Sequence, residues 1–492
     1  MSSVNGHVTG FSDAAERRRR LHHEADVLII GAGILGCALA VTLSKQGRSV
    51  LLLENSLKEP DRIVGELMQP GGAQALEQLG LRDCLEDIDS IRVHGYRVSY
   101  HGNPVNLEYP KDTPSSPRPE GRSFHHGRFV MKLRQAALAC PNVTVVETKV
   151  TDLVTCSHTS QVLGVECVTK DSRDCYFAHL TVVSDGCHSK FRKAYHPYIP
   201  KARSKFWGLE MRDAKLPSPG YGHVIVGDVP PILIYQIGTH ETRILMDIPE
   251  GLPSASVQNG GVKGHLRNAV LPSLPECTRP AFLDALENSP LRSMPNSFLP
   301  SSRNKTRGLM ILGDALNMRH PLTGGGMTVA LNDVVLLREL LSPEKVPNLA
   351  DTSKVLNQLS NFHWRRKNFS SVINILAQAL YSLFAADGKT LISIPPITKL
   401  TKIDDNLRAL QRGCFRYFQI GMAGEPMGLL GGLLQQPFVL FRHFFTVAFL
   451  SLWVVLKEWP IYLAPVAILR CIMVFWTACV VIFPYMLWEV WC

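Results

Sequence analysis

The sequence predicts an α/β protein, with a Rossmann-like domain, an interleaved α+β domain and a helical C-terminus associated with a membrane. Three observations point there. Between Asp26 and Glu54 a short apolar strand runs into a glycine turn, a helix and a second strand. Two later apolar strands end in Asp185-Gly186 and Gly313-Asp314. Two long stretches after Pro437 are almost free of charge. At 492 residues the chain is also too long for one ordinary core.

The first unit begins with Asp26–Ile30, an apolar run of the kind a buried parallel strand needs. It feeds into Gly31-Ala-Gly33-Ile-Leu-Gly36, then a predicted helix over 37–45, a strand over 49–53 and the acid Glu54. Gly31 permits a tight turn, Gly33 lets a pyrophosphate approach the backbone, and Gly36 lets helix and strand pack closely. The helix N-terminus offers unpaired N–H groups to phosphate. Glu54 is placed to accept hydrogen bonds from ribose hydroxyls, which selects FAD or NAD over NADP.

The later strands favour a flavin. Leu180 to Val183 leads to Asp185-Gly186, and Gly308 to Leu312 leads to Gly313-Asp314. Pro321-Leu-Thr-Gly324-Gly325-Gly326-Met327 follows, with a predicted helix over 328–341. That helix again aims a glycine-rich N-terminus at something anionic, and reduced flavin carries negative charge on its pyrimidine side. Asp314 is placed to hold a ribityl chain. Each dipeptide alone is an ordinary turn; their order after the first fingerprint is what indicates FAD.

Composition narrows the partners. Lys+Arg exceed Asp+Glu by 52 − 42 = 10, an excess that suits anionic lipid or a phosphate-bearing cofactor. No basic tract interleaves with aromatics, which argues for no nucleic acid. The twelve cysteines are scattered without C-x-x-C or Cys/His metal spacing, so no metal site and a reducing compartment are expected. The first 25 residues, with Arg17 to Arg20 in a row, read as a disordered polar tail. Phe438 to Leu456 holds one charge and Cys471 to Trp488 none, each near the roughly 20 residues of a bilayer-spanning helix. Tryptophans cluster there as interfacial aromatics do. Whether these segments span, form a hairpin or lie in one leaflet stays open.

More specific strings carry a resemblance. Lys58-Glu-Pro-Asp-Arg-Ile-Val-Gly-Glu66, Gln69-Pro-Gly-Gly72, Phe124-His-His-Gly-Arg128-Phe, Asn317-Met-Arg-His-Pro-Leu-Thr-Gly-Gly-Gly-Met327 and Asn374-Ile-Leu-Ala-Gln-Ala-Leu-Tyr381 resemble the squalene monooxygenases (squalene epoxidases). These are flavoprotein monooxygenases of the para-hydroxybenzoate hydroxylase fold. The resemblance implies non-covalent FAD, O2 and squalene as reactants, and 2,3-oxidosqualene as product in sterol biosynthesis. It implies NADPH as electron source through an NADPH-dependent cytochrome reductase, and an endoplasmic reticulum membrane location with the catalytic part facing the cytosol. It places Ile34, Leu35, Glu54, Asn55 and Arg62 at the adenosine and pyrophosphate end of FAD. Leu67, Arg128, Val150, Asp314 and Met327 match other cofactor-lining positions. Tyr96 matches a tyrosine important for activity, with Gln69 as its partner near the flavin. Animal members carry arginine at Asn55 and phenylalanine at Leu67.

The chemistry agrees with that assignment. Squalene has no ionisable handle, so oxygen must be made electrophilic, which a flavin hydroperoxide does. The protein must exclude water and align one alkene. An apolar tunnel is expected, with Tyr96, Leu233 to Ile237 and Phe298 to Pro300 as its candidate lining. The FAD-binding domain is expected over 26–90, 122–190 and 305–342, and the substrate domain over 91–121 and 191–304. A helical region over 343–436 and membrane-associated helices over 437–492 complete the chain. Two rival readings remain at this stage: a prenyl reductase that saturates the alkene, and a prenyl-lipid carrier without flavin chemistry.

Overall fold

The computed structural model describes residues 25–170, 172–385 and 403–491. The polar tail expected over 1–25 falls outside these, except for Ala25, which opens the first strand.

The first sheet has the order β8 (Val143–Glu147), β2 (Val50–Glu54), β1 (Ala25–Ile30), β11 (Ser172–Val183), with β17 (Leu309–Ile311) also on β11. These five strands are parallel. Val27, Leu28 and Ile29 are wholly buried because a central parallel strand is covered on both faces, which is why the run is uniformly apolar. Strand β11 is longer than its apolar half. Residues 178–183 pair with β1, while Ser172–Phe177 pair antiparallel with β10 (Val162–Thr169), which in turn pairs with β9 (Lys149–Thr155). Helices α1 (Ile34–Ser44), α2 (Pro70–Leu79), α3 (His126–Leu138) and a later helix over 326–340 pack around this sheet. Helix α1 starts at Ile34, three residues before the predicted start, because Gly33 with φ −85° and ψ −167° already serves as its N-cap.

The second sheet has the order β16 (Arg292–Phe298), β12 (Lys201–Arg212), β15 (Glu241–Pro249), β14 (Ile232–Gln236), β13 (Tyr221–Val226), β5 (Gly95–Tyr100), β6 (Asn103–Glu108). Side chains alternate between its faces. Ile232 and Ile234 pack with Phe282 and Leu286 of α4 (Arg279–Asn288). Leu233 and Tyr235 face the other way, with Tyr96 and Leu245. A three-stranded sheet of β3 (Leu67–Met68), β7 (Gly121–Ser123) and β4 (Ile91–Val93) completes the strands.

After α5 (Gly326–Leu340) come α6 (Thr352–Ala385), α7 (Ile403–Gln419), α8 (Gly424–Leu430), α9 (Pro437–Glu458) and α10 (Ala464–Trp491). Helices α9 and α10 pack on each other and on α6 and α7. Gly413 permits the closest approach: a Cβ there would lie 1.9 Å from Ser451 Oγ. By length and composition both α9 and α10 could cross a bilayer. Their outer face leaves Phe449, Trp453, Leu469, Ile472 and Trp476 more than half exposed, a concentration of large apolar side chains of the kind that marks a lipid or protein contact.

Candidate active site

A cavity of about 910 Å³ opens where the carboxyl ends of β1 and β11 meet the second sheet. That is the place where open α/β sheets bind ligands. Gly31, with φ +102°, makes the turn out of β1, and a Cβ there would lie 2.7 Å from the Ser184 carbonyl oxygen. A Cβ on Gly36 would meet the Gly31 carbonyl oxygen at 1.9 Å, so only glycine lets α1 sit this close to the turn. Gly33 differs: it lines the cavity and a Cβ there would meet nothing within 4 Å.

Glu54 ends β2 at the cavity wall. Its Oε2 accepts from the Ala32 N–H at 2.7 Å and its Oε1 from the Ser56 N–H at 3.2 Å. Arg134 stands 3.6 Å from Glu54 and donates from Nε to the Ala32 carbonyl at 3.0 Å. Sequence reasoning missed Arg134. The signal was present, since it occupies the buried stripe of α3 among Val130, Leu133 and Ala137, where a charge needs a purpose.

Ile34, Leu35, Asn55 and Arg62 line the same cavity, as do Leu67, Val150, Asp314 and Met327. Gly36 lies behind the wall as a packing residue. Arg128 does not line it: its half-exposed guanidinium points to Asp89, 3.8 Å away, because α3 turns this position to the surface. Of the tunnel candidates, Leu233 and Tyr235 line the cavity, whereas Ile232 and Ile234 face the opposite core. Phe298 does not line it either. It stacks on Trp488 of α10 with centroids 5.3 Å apart, and Leu299 pairs with Met318 instead.

The cavity's donors suit FAD. Neither α1 nor α5 has a side-chain N-cap, and both N-termini reach its wall through Gly33 and Gly326. Two sets of free helix N–H groups therefore favour anionic groups there. Asp185 Oδ1 is buried at the wall with no partner, and burial raises its carboxyl. Ribose or ribityl hydroxyls would satisfy such an acceptor.

Tyr96 marks the far wall. Gln69 Nε2 donates to Tyr96 Oη at 2.6 Å and to the Thr323 carbonyl at 2.6 Å, while Tyr109 Oη donates to Gln69 Oε1 at 2.7 Å. Gln69 thus ties Tyr96 to the glycine loop that precedes α5. Burial pushes the Tyr96 phenol up to about 12, so it keeps its proton at neutral pH. Tyr109 was not foreseen; a tyrosine after a surface strand carries no local signal. Beyond Tyr96 and Leu322 lies a second chamber of about 140 Å³, walled almost entirely by apolar side chains such as Val98, Leu380, Phe418, Met427 and Phe444.

Two buried groups fix the loop between β2 and β3. Glu66 receives both Arg243 Nε and Nη2 at 2.9 Å, and Tyr235 Oη at 3.4 Å. Burial alone would lower the Arg243 guanidinium, but the hydrogen bonds and charge of Glu66 outweigh it and hold it above its ordinary value. His126 lines the cavity with Nδ1 3.0 Å from the Gly65 carbonyl, and burial lowers it to about 4. His223, also at the wall, is lowered to about 4 by burial and by Arg97.

These two imidazoles set a pH dependence. They stay neutral in the fold but take up protons near pH 6.5 once unfolded. Stability is therefore complete above about pH 6.5 and falls as pH drops toward 4, by up to about 1.4 kcal/mol per pH unit for each group. Urea midpoints between pH 7 and pH 5 should show that fall, and a His126→Gln/His223→Gln double variant should show less of it. Equal slopes in both proteins would remove the histidines as its source.

Comparison with known proteins agrees with this geometry. A family model for squalene epoxidase matches residues 177–469, and one for FAD dependent oxidoreductase matches residues 26–59. A squalene epoxidase of Aspergillus fumigatus is 71% identical over 492 residues, covering 99% of both chains. A squalene monooxygenase of Mus musculus is 42% identical, covering 94% of this chain and 77% of its own. Among solved structures, the monooxygenase-like PqsL of Pseudomonas aeruginosa superposes with a TM-score of 0.62 at 20% identity, over 73% of this chain and 96% of its own. The flavin-dependent brominase Bmp2 gives 0.62 at 14% identity, over 85% of this chain and 98% of its own. These structures share the fold. With 71% identity to a relative over almost the full length of both, the chain belongs to the squalene epoxidase family.

Proposed function

We propose that the protein is an FAD-dependent monooxygenase that converts squalene to (3S)-2,3-oxidosqualene for sterol biosynthesis. The carrying observation is the junction at Tyr96 and Leu322, where the cavity that receives two helix N-termini meets an almost wholly apolar chamber. When bound, FAD supplies activated oxygen: one atom of O2 enters the alkene, the other leaves as water, and NADPH gives two electrons.

The chain's own residues bind and orient. Glu54 takes the ribose hydroxyls, Gly31 and Gly33 admit the pyrophosphate, and Arg62 and Asn55 flank the adenosine end. Asp314 holds the ribityl chain, with Leu67, Val150 and Met327 packed along the cofactor. The squalene chain is gripped by apolar burial, about 0.8 kcal/mol for each methylene-sized group. Tyr96, fixed by Gln69, sets the wall between alkene and ring. Water is kept out because the second chamber offers almost no polar surface. Arg128, turned to Asp89, is left without a direct role at the cofactor.

The exposed apolar face of α9 and α10 supports docking in lipid, from which an insoluble substrate is drawn. The protein sits in the endoplasmic reticulum membrane with its catalytic part facing the cytosol, where an NADPH-dependent cytochrome reductase of the same membrane completes the electron supply. The test is an assay of detergent-solubilised protein with squalene, FAD, NADPH, a reductase and air, with product mass as the readout. A gain of one oxygen atom supports the reading. A gain of two hydrogens without oxygen, or colourless protein and no product, overturns it. Within that assay Tyr96→Phe should retain FAD and lose about tenfold in turnover, since a buried Gln69 donor loses its acceptor. Unchanged turnover would remove Tyr96 from the mechanism.

A further inference from the structure

Helix α10 carries two charges, Arg470 and Glu489, and Glu489 is 6% exposed in its last turn. A buried carboxylate in so apolar a helix costs several kcal/mol unless it is well partnered, so its placement asks for a purpose. Its partners lead to the cavity. Ser371 Oγ donates to Glu489 Oε2 at 2.8 Å and Asn374 Nδ2 to Oε1 at 2.7 Å. The same Asn374 amide donates to Asn317 Oδ1 at 3.1 Å. Arg319 Nη2 donates to that Asn317 oxygen at 2.9 Å and to the Asn317 carbonyl at 3.3 Å. Arg319 lines the cavity together with Asp314, Pro321 and Met327, the last in the first turn of α5, whose N-terminus the sequence aims at the pyrimidine side of the flavin.

This chain of contacts is buried throughout, and Arg319 Nε and Nη1 have no partner within it. The neighbouring Asp333 and Arg366 neutralise each other through two hydrogen bonds of 2.9 Å. Arg319 therefore feels two carboxylates, Asp314 at the cavity and Glu489 at the far end of this path, where Lys367 Nζ also donates to the Glu489 carbonyl at 2.7 Å. Burial lowers the Arg319 guanidinium to about 10, and nearby Asp314 opposes that shift, so it remains a cation at neutral pH.

We propose that Glu489 is a positioning residue for the cofactor: through Asn374 and Asn317 it holds the Arg319 guanidinium at the cavity wall and tempers its positive charge there. The proposal rests on the FAD reading above. It makes the seating of the last turn of a lipid-facing helix a determinant of how readily the flavin accepts electrons. A positive charge at the ring favours the anionic reduced form. Removing Glu489's negative charge should strengthen that effect, and removing Arg319's should abolish it. The two changes therefore have opposite signs, which loss of packing alone would not produce.

The test is the redox titration of FAD in detergent-solubilised full-length protein. Glu489→Gln, which keeps the shape and one accepting oxygen for Asn374 while the Ser371 hydroxyl can turn to accept from the new amide, should raise the ratio of reduced to oxidised FAD at a fixed potential by about threefold or more. Arg319→Met should lower the ratio by a similar factor, and Arg319→Lys should restore it toward wild type. If Arg319→Met fails to hold FAD, Glu489→Gln alone decides. Ratios within experimental error of wild type, or shifts of the same sign in Glu489→Gln and Arg319→Met, overturn the role of Glu489. Wild-type protein that holds no FAD would overturn the FAD reading itself; yellow protein with unshifted variants would overturn only this assignment.

Discussion

Glu66→Ala is expected to destabilise the protein by about 3–5 kcal/mol, because it strands a buried guanidinium. Arg243 is 6% exposed and donates both of its short hydrogen bonds to the Glu66 carboxylate, with Glu210 farther away at 3.4 Å. Thermal melting followed by flavin fluorescence should show a large fall in the midpoint. A Glu66→Leu/Arg243→Met double variant should recover most of that loss, since an apolar pair of similar volume removes both desolvation costs. A single variant that melts like wild type would mean the pair is solvated.

The second large effect separates two glycines of one motif. Gly33→Val should weaken FAD binding by at least about tenfold while leaving the melting of the cofactor-free protein unchanged, because the added atoms enter the space that the pyrophosphate needs. Its backbone, at φ −85°, tolerates a side chain, and nothing in the protein lies within 4 Å of the new Cβ. Gly36→Ala should lower both FAD binding and melting, since its methyl group runs into the Gly31 carbonyl oxygen and forces α1 off the turn. FAD titration of the cofactor-stripped proteins, paired with melting curves, distinguishes the two. Full FAD affinity in Gly33→Val would place the pyrophosphate elsewhere.

What could be read in the sequence was what local pattern encodes. The glycine turn at 31–36 and the dipeptides Asp185-Gly186 and Gly313-Asp314 depend on neighbours a few positions apart, and all reach one cavity wall. Tyr96 and Gln69 were paired through the family resemblance, and they are hydrogen-bonded. Other features depend on distant pairing. Glu66 and Arg243 lie 177 positions apart, one in the β2–β3 loop and the other in β15, and nothing in either stretch names the other as its partner. Phe298 was a candidate for the tunnel lining, yet α10 covers it, and no pattern within Arg292–Phe298 announces that partner. Arg128 shares a motif with buried neighbours, but the 3.6-residue turn of α3 carries Phe129 inward and Arg128 outward.

Strand β11 belongs to two ladders at once, parallel on its second half and antiparallel on its first. Deleting one residue inside it would swap inward and outward side chains along everything beyond the cut. It would also drag Asp185 about 3.3 Å along the strand axis. Insertions and deletions are therefore intolerable within 172–183 and belong in the turn over 156–161, where a surface loop absorbs them. In lineages that share this architecture, the strand should act as a ruler of invariant length.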